Sequence, residues 1–141
     1  MENWLNRYID VLQNLTVVNI SQLRQVTSVD IVFRDPFNET HCQDDFIAIM
    51  EEMFCALSDV QFNVTHSMQK DSEAVIYWTF SARYRSRPSF SFEGCSRLLS
   101  DASGQITMHL DYWDGTALIE QLPFIGMITK KIKNRITYKT D

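Results

Sequence analysis

A chain of 141 residues with 45% hydrophobic and 22% charged side chains, and only 4 Gly and 3 Pro, holds enough apolar material for one buried core and excludes disorder or a fibrous repeat. The net charge of −5 excludes a surface built to neutralise phosphates, so no nucleic acid partner is expected. Cys42, Cys55 and Cys95 share no metal-binding spacing, and no stretch approaches the roughly 20 apolar residues that span a bilayer, so a cytoplasmic chain without zinc, disulfide framework or membrane contact is expected.

The first third reads as helical. Trp4, Leu5, Tyr8, Ile9, Leu12 and Leu15 recur at three- and four-residue steps and predict a helix over about 2–14. Asn19 and Gln22 read as a capping pair for a shorter helix, about 20–27, carrying Ile20, Leu23 and Val26. Val29 to Phe33 is β-prone and stops at Asp35-Pro36, because proline pushes its predecessor to an extended form and cannot donate to a ladder. Thr40 and Gln43 form a second capping signature, and Phe46, Ile49, Met50, Met53, Phe54 and Leu57 predict a helix over about 41–57.

From residue 59 the period changes to two. Val60, Phe62, Val64, His66 and Met68 alternate with polar residues and predict a strand with one buried face. Ala74 to Tyr84, Ser89 to Leu99 and Gln105 to Trp113 follow as further strands, the last two joined by an Asp101-Ala102-Ser103-Gly104 turn. Within the third, Glu93-Gly94 marks either a bulge or a close approach. Asp114 is placed to cap a helix over Thr116 to Gln121, and Pro123 to open a last helix carrying Ile125, Ile128 and Ile132. Its Lys130, Lys131, Lys133 and Arg135 read as a solvated basic face. Helices followed by an antiparallel meander imply an α+β layer with the helices on one face of the sheet.

Three strings in this order narrow the choice: Arg7-Tyr8-Ile9 with Leu12, Phe33-Arg34-Asp35-Pro36-Phe37, and Gly104-Gln105-Ile106 leading to Asp111-Tyr112-Trp113-Asp114. Together they resemble the nuclear transport factor 2-like superfamily, in its SnoaL-like branch, which includes ketosteroid isomerase-like and polyketide cyclase-like proteins. The resemblance covers roughly residues 2–122, so 1–122 reads as the domain and 123–141 as a basic helical tail. It implies a cone-shaped roll, a curved and mainly antiparallel sheet packed with N-terminal helices around an apolar pocket, and homodimers through sheet faces. It further implies Asp35 as the position of an isomerase base and Tyr8 as an oxyanion donor. The second donor of that reaction, an acid, falls at about Ser96, where this chain departs from the pattern.

Period-two alternation sets His109, Asp111 and Trp113 on one face of the last strand, and the resemblance turns that face to the pocket. An acid and an imidazole in an apolar cavity are an acid/base group, since burial and a neighbouring His tune a carboxyl. The alternatives are structural: Asp111 satisfied by Arg34 or a helix N-terminus, and Asp35 accepting from turn amides. Trp78, Trp113, Phe80 and Phe92, with Ser96, are candidate ligand contacts or simply core. His41, His66 and His109 are scattered without H-x-H or H-E-x-x-H spacing, and no metal or other cofactor is expected. Two functions remain open. One is a cofactor-independent isomerase, cyclase or dehydratase that moves a proton on a small apolar molecule through Asp35, Asp111, Tyr8 and His109. The other is a non-catalytic ligand-binding or protein-interaction module.

Overall fold

The computed structural model describes residues 3–122 and 125–138. Helix α1 (Trp4–Gln13) begins where the Asn3 side chain accepts from Leu5 N at 2.8 Å, and it buries the expected stripe of Leu5, Tyr8 and Leu12. Glu2, included in the expected span, lies outside the described residues. The next segment opens as a 3-10 turn (Ile20–Gln22) and continues as the short α2 (Leu23–Val26). Ile20, Leu23 and Val26 are buried as their spacing requires. The Asn19–Gln22 capping pair is not formed. Asn19 spends its side chain on Asn14 O and Thr16 N, closing the loop ahead of the helix.

Strand β1 (Thr27–Arg34) is longer than the β-prone core of its sequence and ends at Asp35 as expected. A two-residue strand β2 (Glu39–Thr40) pairs back on it. The second capping signature also fails, because Thr40 belongs to β2 and its hydroxyl finds no partner. Helix α3 (Gln43–Ala56) starts instead after Cys42, with Asp44 and Asp45 in its first turn complementing the helix dipole. Gln43 turns inward, donating to Thr27 O, Thr27 Oγ1 and Arg24 O where α2 ends. Buried carbonyls there need a donor, and that need outweighs the local capping bond.

Strands β3 (Leu57–Lys70), β4 (Glu73–Tyr84), β5 (Phe90–Ser100) and β6 (Ile106–Trp113) form the antiparallel meander, and β1 joins parallel to β6. The order is β2-β1-β6-β5-β4-β3, a curved and open sheet in which that one pairing is parallel. Bulges at Ser58/Gln61 and Val64/His66 interrupt β3. Asp59 takes up the first with a φ of 53°, and bulges of this kind bend the sheet. The second corrects the expected alternation. Phe62 opposes Phe80 on the core side, whereas His66 opposes Tyr77, so His66 and Met68 stand on the outer face, exposed.

The inner face of the sheet is ordered in rows by its register. Ala74, Leu98, His109 and Phe33 form one row, Ile76, Ser96 and Asp111 the next, and Trp78, Gly94 and Trp113 a third. Tyr8, Leu23 and Phe46 from the helices close over the first rows and are fully buried. No bulge occurs at Glu93-Gly94, where pairing with β4 is continuous. The glycine instead allows a close approach, since an added Cβ would lie 2.5 Å from Cη2 of Trp78.

After β6, Asp114 accepts from Thr116 N and Oγ1 and starts the short α4 (Thr116–Ile119). Helix α5 (Ile125–Ile136) follows, while Pro123, expected to open it, lies outside the described residues. The helix leans on α4 through Lys133, which reaches Glu120 at 3.0 Å and Asp114 at 3.5 Å. Ile128 and Ile132 are more than half exposed, so these two of the expected isoleucines do not pack on the body. Among the described residues no helix is long and apolar enough to cross a membrane.

Because the Trp78 indole fills the space a side chain at position 94 would need, Gly94→Ala lowers the unfolding free energy by about 1–3 kcal/mol, the usual cost of overpacking. A urea titration measures it, and an unchanged midpoint would show that the indole has room to move.

Candidate functional site

The helices do not fill the space over the far rows of the sheet, and a cavity of about 450 Å³ remains. Leu12 and Leu15, then Ile49, Met50 and Met53 of α3, cover it from above. Val60, Phe62, Trp78, Phe80 and Phe92 form its floor, with His109, Asp111 and Trp113 along one side and Leu118 and Ile119 of α4 at the edge. The half-buried state of the C-terminal half of α3 has its cause here, since those side chains face a void rather than packed core.

A chain of hydrogen bonds runs through the wall. Tyr8 Oη lies 2.6 Å from His109 Nδ1, His109 Nε2 lies 2.6 Å from Asp111 Oδ1, Ser96 Oγ lies 2.5 Å from the same oxygen, and Trp78 Nε1 lies 2.8 Å from Ser96 Oγ. The directions follow from which groups can donate. An indole N–H only donates, so Ser96 Oγ accepts from Trp78 and sends its own proton to Asp111. Burial, reinforced by the charge of Asp111, holds the Tyr8 hydroxyl well above the ordinary tyrosine value, so it keeps its proton and donates to Nδ1. His109 then carries its proton on Nε2 and donates to Asp111. Two donors converge on Oδ1, while Oδ2 has no hydrogen-bond partner among the described residues. The imidazole is also held by ring contacts from Phe33 at 5.3 Å, Tyr8 at 5.7 Å and Phe46 at 5.9 Å.

Several expectations change. Arg34 does not neutralise Asp111, because it donates to Tyr112 Oη at 2.9 Å on the outer face. A helix N-terminus does not do so either: the donors are His109 and Ser96. Tyr8 and Ser96 do not line the cavity; both are fully buried behind it with their hydroxyls committed to the wall. Asp35 does line the cavity, but its Oδ1 accepts from Phe37 N at 2.8 Å and Asn38 N at 2.7 Å in the turn, and it makes no bond to the Tyr8–His109–Asp111 chain. Trp78, Phe80, Phe92 and Trp113 all line the cavity, with Phe92 and Trp113 stacked at 4.7 Å. Among the described residues no group of three or more His, Cys, Asp or Glu side chains is arranged to hold a metal ion.

Sequence reasoning missed the role of Ser96 as a donor to Asp111 and that of Trp78 as a donor to Ser96. The hairpin turn carried a usable signal. Asp101 Oδ1 accepts from Ser103 N and Gln105 N, and Gly104 takes the left-handed φ of 83°, which closes the turn and sets Ser100 against Ile106. Counting back from there requires one irregularity, at Leu99/Ser100, before Ser96 meets Asp111.

Comparison with known proteins agrees with this architecture. The SnoaL-like domain family matches residues 5–109, which takes in Tyr8 and His109 and stops before Asp111. A protein of the ketosteroid isomerase-like fold from Catenulispora acidiphila, solved in complex with trimethylamine, superposes with a TM-score of 0.72 at 12% identity, covering 84% of this chain and 90% of the other. An LEH-like epoxide hydrolase from M. tuberculosis gives 0.67 at 14% identity, covering 96% and 93%. A candidate polyketide cyclase from Pseudomonas putida gives 0.66 at 16%, covering 84% and 95%. Among curated proteins none matches the sequence.

Removing the Tyr8 hydroxyl leaves the buried His109 Nδ1 without its donor, so Tyr8→Phe is less stable than wild type by about 1–3 kcal/mol at neutral pH. The folded chain also retains the Tyr8 proton where the unfolded chain loses it. The stability this supplies is complete below about pH 10 and declines as pH rises past that value. Denaturant unfolding followed from neutral to alkaline pH therefore shows a steeper loss above about pH 10 for wild type than for Tyr8→Phe; parallel curves would remove the hydroxyl from the network.

Proposed function

Since the chain belongs to the SnoaL-like domain family, we propose that its cavity binds a small, largely apolar molecule and that Asp111 moves a proton on it, in an isomerase-, cyclase- or dehydratase-type reaction. One observation carries this reading. Asp111 is set in an apolar wall with Oδ1 held by His109 and Ser96, and among the described residues none hydrogen-bonds to Oδ2. A carboxylate fixed through one oxygen and open at the other is oriented for proton transfer, because the donors hold its geometry without consuming its free lone pairs.

In this reading Asp111 takes a proton from the bound molecule and returns it at a second position. His109 is a positioning residue that holds the carboxylate through Nε2–H, and Tyr8 fixes the tautomer that makes this possible. Asp35, engaged in its turn, shapes the cavity wall rather than serving as the base. Trp78, Phe80, Phe92 and Trp113 supply the apolar contact area. The reading includes a cytoplasmic location and a homodimer through the outer sheet face, where Met68, Tyr77 and Tyr112 stand exposed.

A second reading, a non-catalytic carrier of such a molecule, draws on the commitment of the Tyr8 and Ser96 hydroxyls inside the wall. Neither is free to stabilise negative charge developing on a substrate. Deuterium incorporation from heavy water into a panel of small apolar carbonyl compounds, enones and imines separates the two. The proton-transfer reading expects exchange that falls about 10²- to 10⁴-fold in Asp111→Asn and much less in Asp35→Asn. Equal exchange in wild type and Asp111→Asn would leave only the carrier.

A further inference from the structure

We infer that the molecule this cavity accepts carries a positive charge, specifically a protonated amine on an apolar body. The inference rests on the cavity being a ligand site, as proposed above, and goes further by naming the ligand's chemistry. Among the described residues every charged side chain that lines the cavity is a carboxylate: Asp35, Glu52 and Asp111. No Lys or Arg among the described residues lines it. Arg34, next to Asp35 in the chain, is bound to Tyr112 on the outer face, and Lys133 is bound to Glu120 and Asp114 beside α4. In a protein of net charge −5, a cleft with low-dielectric walls and carboxylates of one sign focuses a negative potential. It attracts cations and repels carboxylates, phosphates and sulfates.

The aromatic walls point the same way independently of the acids. Phe92 stacks on Trp113 at 4.7 Å, Trp78 meets Phe92 edge to face at 6.1 Å, and Phe62 lies 5.1 Å from Trp78. Indole and phenyl faces bind a desolvated ammonium through their quadrupoles, most strongly for Trp. The open oxygen of Asp111 stands on the strand that carries Trp113, two residues away on the same face. One position in the cavity therefore offers an acceptor for an N–H and an aromatic surface for the N-alkyl groups. A ligand amine there would donate to one lone pair of Oδ2, which has no donor among the described residues, and leave the other lone pair open.

Isothermal titration of the full chain at neutral pH with three probes of one shape tests this: naphthylmethylamine, naphthylmethanol and naphthoate. The amine is expected to bind about tenfold tighter than the alcohol, and naphthoate to bind weakest. In Asp111→Asn the ratio of amine to alcohol affinity falls toward one, and the alcohol serves as an internal control for an intact cavity. An alcohol that binds as tightly as the amine in wild type, or a naphthoate that binds tightest, would overturn the charge preference while leaving the cavity a ligand site. Failure of all three probes to bind would overturn both.

Discussion

A carboxylate placed in an apolar wall must be compensated by hydrogen-bond donors, and the way Asp111 is compensated organises the rest of this site. Leaving such a group unpaired costs several kcal/mol, and pairing it with a fixed cation would neutralise it permanently. Here the compensation comes from side-chain donors of the sheet itself. His109 reaches it from two residues along the same strand and Ser96 from directly across the sheet, each supported in turn by a second buried group, Tyr8 or Trp78. Both supporting chains deliver protons to one oxygen. The carboxylate stays held but chemically open on its other side.

That arrangement depends on sheet register more than on any single contact. The irregularity at Leu99/Ser100 shifts β5 by one residue against β6, and without it Ser96 would oppose Leu110 and the hydroxyl would miss the acid. The register that puts Ser96 opposite Asp111 also puts Gly94 between Trp78 and Trp113. A residue without a side chain in that row leaves room for the Trp78 indole, whose Nε1 donates to Ser96. The bulges in β3 interrupt its ladder and bend the strand, and α3 covers a void there instead of sealing a core.

The cavity combines large aromatic area with carboxylates, and among the described residues its lining has no Lys or Arg. Lys133 acts at the rim, where it joins α5 to both ends of the α4 segment, Asp114 and Glu120, and so holds Leu118 and Ile119 against the opening. The exposure of these ionic groups makes the tie weak by itself. Its value lies in geometry, since α4 is only four residues long and has little packing of its own.

The sequence by itself determined the order and kind of the elements, the single α+β layer, and the face shared by His109, Asp111 and Trp113. Periodicity and turn chemistry are local properties, and Leu5-Tyr8-Leu12, Asp101 to Gly104 and the alternation of β6 express them within a few residues. Trp78, Phe80, Phe92 and Trp113, read from the sequence as ligand contacts or core, line the cavity. Only the tertiary structure decided which groups touch. Both capping pairs were locally sound and were overridden, Asn19 by loop closure and Gln43 by carbonyls left open 16 and 19 residues earlier. His66 and Met68 changed face at one bulge, and Tyr8, an expected oxyanion donor, and Ser96, an expected ligand contact, are buried within the wall. Such outcomes turn on register shifts of one residue and on donors supplied from distant parts of the chain, and neither leaves a trace in local pattern.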